Sequence, residues 1–183
     1  AGDVSAYIPT NVISITDGQI FLETELFHSG VMPAVNPGIS VSRVGGNAQI
    51  KAMKKVAGTL KLAYSQFREL QAFSQFGSDL DKATQQQLSR GARMTELLKQ
   101  GRFAAMDVED QVVAIFAGDQ GFLDGMPVSD TLRFRDDLVQ YMHTVRKDLK
   151  EKIATEKQLT DQIKEELLEA ITTFKQSFII AKK

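Results

Sequence analysis

The sequence predicts an α/β segment, the end of a mostly parallel sheet, followed by an all-α bundle of amphipathic helices. Up to residue 42, apolar residues alternate in short runs separated by Pro and Gly, which is typical of strands joined by turns. After residue 46, apolar residues recur every three or four positions, which is typical of helices with one buried face. We therefore predict two domains, residues 1–48 and residues 49–183.

The predicted strands are short. Residues 4–8 and 12–15 each alternate apolar and polar side chains, and Pro9 ends the first run. Residues 20–22 form a third apolar run, and residues 39–42 alternate again. Because this segment is too short to bury both faces of a parallel sheet by itself, we expect it to be the end of a larger domain.

Five helices are predicted after the boundary, over about residues 50–73, 80–97, 107–117, 129–153 and 160–178. The first two form a hairpin, with its tip at residues 77–81. Asp107, Ser129 and either Thr160 or Asp161 are placed to cap the last three helices. Five amphipathic helices with short connections predict a bundle.

The composition excludes several classes of function. The 22 basic and 23 acidic residues nearly cancel, so no long-range attraction to nucleic acid or to an anionic membrane is expected. The absence of Cys excludes disulfides and thiolate chemistry. The longest uncharged run, residues 26–42, contains two Pro and cannot span a bilayer as a helix. The chain starts with Ala1, without a signal peptide, which suggests a fragment.

Arg43 is the residue most suited to chemistry. It follows the strand 39–42 and precedes two glycines, so we expect its guanidinium to extend from the strand end into a loop. Its fixed fork of donors suits a phosphate held by a neighbour. The alternative is an ion pair with Glu23 or Glu25, and residue spacing alone favours that alternative.

Motifs for triphosphate, metalloprotease or serine-hydrolase chemistry are absent from the sequence. His28 and His143 have no carboxylate pattern around them, so we expect surface or packing histidines and no metal site. Asp79 and Asp81 lack the Gly and Glu that a calcium loop needs. We expect them to form a solvated hairpin tip that could contact a basic partner.

Four stretches of the sequence resemble the alpha subunits of the rotary F-type ATP synthase family: residues 3–19, 40–45, 49–54 and 76–81. The resemblance covers the whole chain and corresponds to the C-terminal part of such a subunit. It implies that the first 48 residues end a P-loop-type nucleotide-binding domain. It also implies that the family's β-barrel and phosphate-binding loop lie upstream of Ala1.

The resemblance assigns a role to Arg43 that spacing alone did not favour. Arg43 matches the family's arginine finger, which reaches the catalytic nucleotide site of the adjacent beta subunit. There it would stabilise charge on the transferring phosphoryl group. Ser42 matches a residue that lines the same interface.

A second set of positions matches the pocket around the adenine of the alpha subunit's own, non-catalytic nucleotide. Phe27, Pro33 and Gln100 follow the family pattern there. Met32 stands where the family usually has Arg, and Arg102 stands where many members have Gln. The implied ligand is ATP or ADP with Mg²⁺, whose phosphate and metal ligands would lie upstream of this chain.

The resemblance also implies partners and a location. Ser78, Asp79, Leu80 and Asp81 match the loop that faces the central rotary shaft. The partners would be beta subunits in an alternating hexamer, a gamma-type shaft and a delta-type peripheral stalk. The complex would lie peripherally on an energy-transducing membrane, on the cytoplasmic face in a bacterium or on the mitochondrial inner membrane or thylakoid in an organelle. It would couple hydrogen ion transport to ATP synthesis. The chain alone would not be catalytic.

Two alternatives stay open on the sequence. The first is a piece of a related hexameric ATPase, such as a flagellar export motor. The second is a non-enzymatic helical interaction module formed by the residues after Gly46.

Overall fold

The structure, a computed structural model, describes residues 3–74 and 80–180. The elements follow the order α1 (Tyr7–Ile15), β1 (Gly18–Gln19), α2 (Thr24–His28), β2 (Val41–Ser42), α3 (Arg43–Ala48), α4 (Lys51–Ser74), α5 (Lys82–Leu97), α6 (Val108–Asp119), a 3-10 turn (Val128–Asp130), α7 (Thr131–Thr144), α8 (Lys147–Glu156) and α9 (Asp161–Ile180). A small sheet thus precedes a large helical part, which confirms the predicted fold class.

The first element is a helix, so the strands predicted over residues 4–8 and 12–15 are wrong. Pro9 is the third residue of α1, in the first turn, where a backbone N–H would have no helical partner. The helix also satisfies its polar side chains. Thr10 donates to the Ala6 carbonyl at 2.9 Å and Thr16 to the Val12 carbonyl at 3.0 Å. Ser14, the polar residue of the second run, likewise donates to the Asn11 carbonyl at 2.7 Å, in the preceding turn.

The sheet is small and its strands are antiparallel. Gly18 pairs with Ser42 and Gln19 with Val41, and an isolated antiparallel bridge joins Leu22 to Val35. The parallel pairing predicted from the sequence is therefore not found within the described residues.

The core lies between the helices of the helical part. A single cluster of buried apolar side chains runs from α4 to α9, and its largest members include Phe134, Leu138, Met142, Ile163 and Leu167. The predicted first, second, third and fifth helices correspond to α4, α5, α6 and α9. The hydroxyl of Thr160 accepts from the Ile163 N–H at 3.2 Å, which confirms the predicted start of α9. Among the described helices, none is long and apolar enough to cross a membrane.

The predicted fourth helix is two helices. α7 ends at Thr144 and α8 begins at Lys147, and both the Val145 and the Arg146 N–H groups donate to the Tyr141 carbonyl. Val145, predicted to face the core, is exposed. The break lets α8 pack against α6 and α9. Ser129 is also not the cap, because it lies inside the 3-10 turn that precedes α7.

Candidate functional site: an exposed arginine at the start of a short helix

Arg43 is the first residue of α3, directly after β2. The prediction that a loop follows the strand at Arg43 is therefore wrong, because a helix starts there. The Ser42 hydroxyl accepts from the Gly45 N–H at 3.0 Å and caps the helix. A Cβ on Gly45 would lie 2.6 Å from the Ser42 Oγ, so this close cap requires glycine. The two residues together turn the chain from strand to helix at Arg43.

Asp17, the residue directly before β1, holds the start of α3. Its carboxylate accepts from the Val44 N–H at 3.0 Å and from the Ser42 hydroxyl at 3.1 Å. A carboxylate at a helix N-terminus also interacts favourably with the helix dipole. The neighbouring Gly18 allows β1 to approach β2, since a Cβ there would lie 1.9 Å from the Val41 carbonyl oxygen. The backbone around Arg43 is thus held on both sides.

The Arg43 guanidinium is exposed and, within the part of the chain that the structure describes, makes no hydrogen bond or ion pair. Neither of the two glutamates considered from the sequence pairs with it. Glu23 instead accepts from Arg68 Nη2 at 3.1 Å and from Asn36 Nδ2 at 2.7 Å. Glu25 lies exposed on α2. Arg43 is therefore an available cation on an ordered backbone.

The residues matched to the adenine pocket come from both parts of the chain, and the structure brings two of them into contact. The Gln100 N–H donates to the Met32 carbonyl at 2.9 Å. Phe27 lies in α2, and its ring is 55% exposed. Pro33 lines a cleft of about 220 Å³ between this segment and the helices. The Arg102 side chain is exposed.

Arg135 positions the loop that contains Gln100. Its Nη1 donates to the Lys99 carbonyl at 2.6 Å and to the Leu97 carbonyl at 3.2 Å. The Arg135 cation donates to carbonyls at the C-terminal end of α5, which have no helical donor, and it interacts favourably with the helix dipole. The roles of Arg135 and Asp17 cannot be recognised from the sequence, because their partners lie far along the chain, 36 residues away for Lys99 and 25 for Ser42.

The hairpin tip is described only from Leu80 onward. Ser78 and Asp79, two of the four predicted shaft contacts, lie outside the described residues. Asp81 is exposed and caps α5, accepting from the Thr84 N–H at 2.8 Å. Hydrogen bonds from the Thr84 side chain and backbone lower the Asp81 pKa. Asp81 thus has a local structural role at the start of α5, with or without a partner at this surface.

His143 has carboxylates beside it, contrary to the sequence expectation. Its Nε2 lies 2.8 Å from the buried Asp110 carboxylate and 2.7 Å from Lys150 Nζ, and Lys150 also reaches Asp107 at 3.0 Å. Burial lowers the pKa of Lys150, but its hydrogen bonds to Asp107 and Asp110 outweigh this and raise it above its ordinary value.

Asp107, Asp110 and His143 are close enough together to hold a metal ion. The Lys150 ammonium, however, lies among these three groups and supplies a positive charge there. We therefore interpret the group as an ion-pair network that ties α6, α7 and α8 together.

Comparison with known proteins defines the class of this chain. Residues 49–174 match the family described as ATP synthase alpha/beta chain, C terminal domain. Residues 1–42 match the ATP synthase alpha/beta family, nucleotide-binding domain. The chain belongs to the ATP synthase alpha/beta family.

One relative indicates the kind of subunit within this family. The chain is 56% identical over 179 residues to ATP synthase subunit alpha of Aquifex aeolicus (strain VF5). The match covers 98% of this chain and 36% of the relative, and it lies in the C-terminal portion of that protein. The resemblance to alpha subunits that the sequence suggested is thereby confirmed.

Proposed function

We propose that this chain works as the C-terminal portion of the alpha subunit of a rotary F-type ATP synthase. In that role, Arg43 supplies a positive charge to the catalytic nucleotide site of an adjacent beta subunit. Arg43 would stabilise the charge on the phosphoryl group during transfer, and Ser42 would line the same interface. The single observation that supports this most is that Arg43 is exposed and, among the residues that the structure describes, unpaired, on a backbone held by Asp17 and Ser42.

The physical reason is preorganisation. An arginine that already paired with a carboxylate would have to break that pair before reaching a phosphate, and the energy of the broken pair would offset the gain. Arg43 has no such pair within the described residues. Its backbone is also anchored, so little ordering is needed when charge develops in the transition state.

We also propose that the chain contributes to a second, non-catalytic nucleotide site. The contact between Gln100 and Met32 supports this, because it joins the two parts of the chain at the positions matched to the adenine. Phe27, Pro33 and Arg102 would lie around the base. The ligand would be ATP or ADP with Mg²⁺. Residues outside this sequence would bind the phosphates and the metal, since the sequence has no phosphate-loop motif.

The exposed apolar side chains of the first part fit a larger assembly. α1 has no buried residue, and Tyr7, Ile8 and Ile15 on it are at least 74% exposed. Apolar patches of this kind mark interaction surfaces. The chain spans about a third of the length of its relative. We propose that the rest of the nucleotide-binding domain covers α1, with residues 1–48 forming the end of that domain and residues 49–183 a separate helical domain.

The proposed partners follow from the same role. Beta subunits would alternate with this subunit in a hexamer around a gamma-type shaft, and a delta-type stalk would bind at the periphery. Residues 78–81 would face the shaft. The complex would lie on the surface of an energy-transducing membrane and couple ATP synthesis or hydrolysis to hydrogen ion transport.

The test is to replace Arg43 in the assembled complex. Arg43→Ala should lower multisite ATP turnover by roughly 10³-fold or more while nucleotide binding is retained. Arg43→Lys should recover only part of this loss, because an ammonium lacks the planar fork. Near-normal turnover of Arg43→Ala would contradict the proposal.

Lys54→Ala is the matched control. Lys54 is an exposed cation on α4 with no described side-chain partner, so its loss should leave turnover within about twofold, as for most surface substitutions.

A further inference from the structure

We propose that helix α4 sets the position of Arg43 through Lys61 and Arg68, which act as positioning residues for the arginine. This inference rests on the proposed function of Arg43. It adds to that function a physical path by which the helical part can move the arginine relative to a neighbour's phosphates.

The first contact is direct. Lys61 Nζ donates to the Ser40 carbonyl at 3.0 Å, and Ser40 lies three residues before Arg43, next to β2. Lys61, Ser65 and Arg68 share one face of α4 because they are spaced by four and three positions. Gly38 packs against this face, since a Cβ there would lie 3.0 Å from the Ser65 Oγ. The segment before Arg43 therefore lies against one side of α4.

The second contact is a chain of hydrogen bonds that starts at Arg68. Arg68 Nη2 donates to Glu23 Oε2 at 3.1 Å, and Asn36 Nδ2 donates to Glu23 Oε1 at 2.7 Å. The Asn36 carbonyl in turn accepts from the Ser40 hydroxyl at 2.6 Å. Both contacts thus meet at Ser40, one at its carbonyl and one at its hydroxyl.

Asn36 restrains the geometry of the second contact. It is buried, and its Oδ1 also accepts from the Gly38 N–H at 2.9 Å. The Ser40 hydroxyl accepts from the Phe21 N–H at 3.0 Å, which links Ser40 to the segment that follows β1. A part-buried polar network centred on a buried Asn favours one geometry, because breaking the bonds of Asn36 would leave a buried group without a partner.

The opposite face of α4 belongs to the core. Ala52, Val56 and Leu60 are buried in the large apolar cluster, and α4 contacts both α5 and α6. A close-packed core transmits displacement rather than absorbing it. A movement of the helical part therefore displaces Ser40 through Lys61 and Arg68, and β2 passes this displacement to Arg43.

The experiment is a double-mutant cycle in the assembled complex. Lys61→Met removes the donors but keeps the length and the helix propensity of the side chain. Lys61→Arg keeps a donor, and Lys54→Met is the control on the same helix. Each is made in the native and the Arg43→Ala background. The measurements are kcat, KM for ATP, and trapping of MgADP with aluminium fluoride, which mimics the transferring phosphoryl group.

We expect Lys61→Met to lower kcat roughly tenfold and to weaken trapping, with KM nearly unchanged, because misplacement acts on the transition state. Lys61→Arg should restore most of this activity. In the Arg43→Ala background, Lys61→Met should change turnover by less than about twofold, since the residue it positions is gone. Arg68→Met, which breaks the second contact, should show the same dependence on Arg43.

The outcomes separate the two proposals. If Arg43→Ala removes turnover but Lys61→Met has the same effect in both backgrounds, or none in the native one, the positioning role is overturned and the proposed function stands. If Arg43→Ala retains turnover, the proposed function is overturned and the positioning role falls with it.

Discussion

Residues 3–48 and the helices after them are held together by different forces. Among the described residues of the first part, only Leu26, Ala34 and Asn36 are buried. The helices share one apolar cluster that reaches from α4 to α9. The first part is held instead by polar contacts, with Asp17 and Glu23 at their centres.

This difference separates stability from site geometry. Hydrophobic burial supplies most of the free energy of folding, so the helical part should determine the stability of the described chain. Hydrogen bonds contribute little net free energy but define direction. We therefore expect substitutions in the first part to disturb the candidate site without unfolding the protein.

The largest effect on stability is expected from Phe134→Ala. Phe134 is 1% exposed, and its ring lies 5.2 Å from the rings of Phe174 and Phe178. Its removal should lower the free energy of unfolding by about 3–5 kcal/mol in urea denaturation, from lost burial and the cavity left behind. Phe27→Ala, at an exposed ring in the first part, is the control and should change it by less than about 0.5 kcal/mol. Similar losses of stability for the two variants would contradict the expectation that the helical part determines the stability of the chain.

A smaller effect, with a dependence on pH, is expected from Asp119→Asn. Asp119 ends α6, and its Oδ1 is buried without a hydrogen-bond partner in the part that the structure describes. Burial raises the Asp119 pKa to about 6, against an opposing effect of Arg90. The folded state thus binds this proton more tightly than the unfolded chain. The charge of Asp119 therefore costs no stability below pH 3.8, destabilises the folded state increasingly as pH rises to about 6, and destabilises it fully above that.

The Asn variant should accordingly be more stable than the native chain by roughly 1–2 kcal/mol near neutral pH, after allowance for solvent screening. The gain should vanish near pH 3.5, as measured by urea unfolding across the pH range. Asp137→Asn, at an exposed position on α7, should change stability by less than about 0.5 kcal/mol throughout. A gain independent of pH would show that the charge of Asp119 is not its cause.

The smallest effect on global stability is expected from Asp17→Ala, which removes the carboxylate that holds α3. The free energy of unfolding should fall by about 1 kcal/mol or less, because only the cap is lost and the core is untouched. Hydrogen exchange of the Val44 and Gly45 amides should speed up about fivefold, since a capping interaction near 1 kcal/mol is lost there. The control is Glu25→Ala at an exposed position of α2. Global destabilisation by more than about 2 kcal/mol would mean that the first part contributes to the core.

Periodicity was a good guide wherever one face of a helix meets the core. It located α4, α5 and α9 because their buried residues recur at helical spacing. In α6 residues 112–118 are all buried, and the apolar run between Asp107 and Gly118 located that helix instead. It failed for α1, whose side chains face no core, so the run with Pro9 resembled a strand. It also failed at Val145, where neither Gly nor Pro marks the break between α7 and α8.

Of the candidate site, the sequence by itself determined which residue to examine and the family to which the chain belongs. It could not determine the partners of the charged residues. Glu23 pairs with Arg68, 45 positions away, and His143 meets Asp110, 33 positions away.

The tertiary structure alone decided that Arg43 is unpaired within the described residues and that Asp17 holds the start of α3. The physical reason is that sequence patterns and ion pairs join residues at different separations along the chain. Helical and strand patterns report neighbours three or four positions apart, or two, whereas an ion pair forms wherever packing brings two groups within about 4 Å.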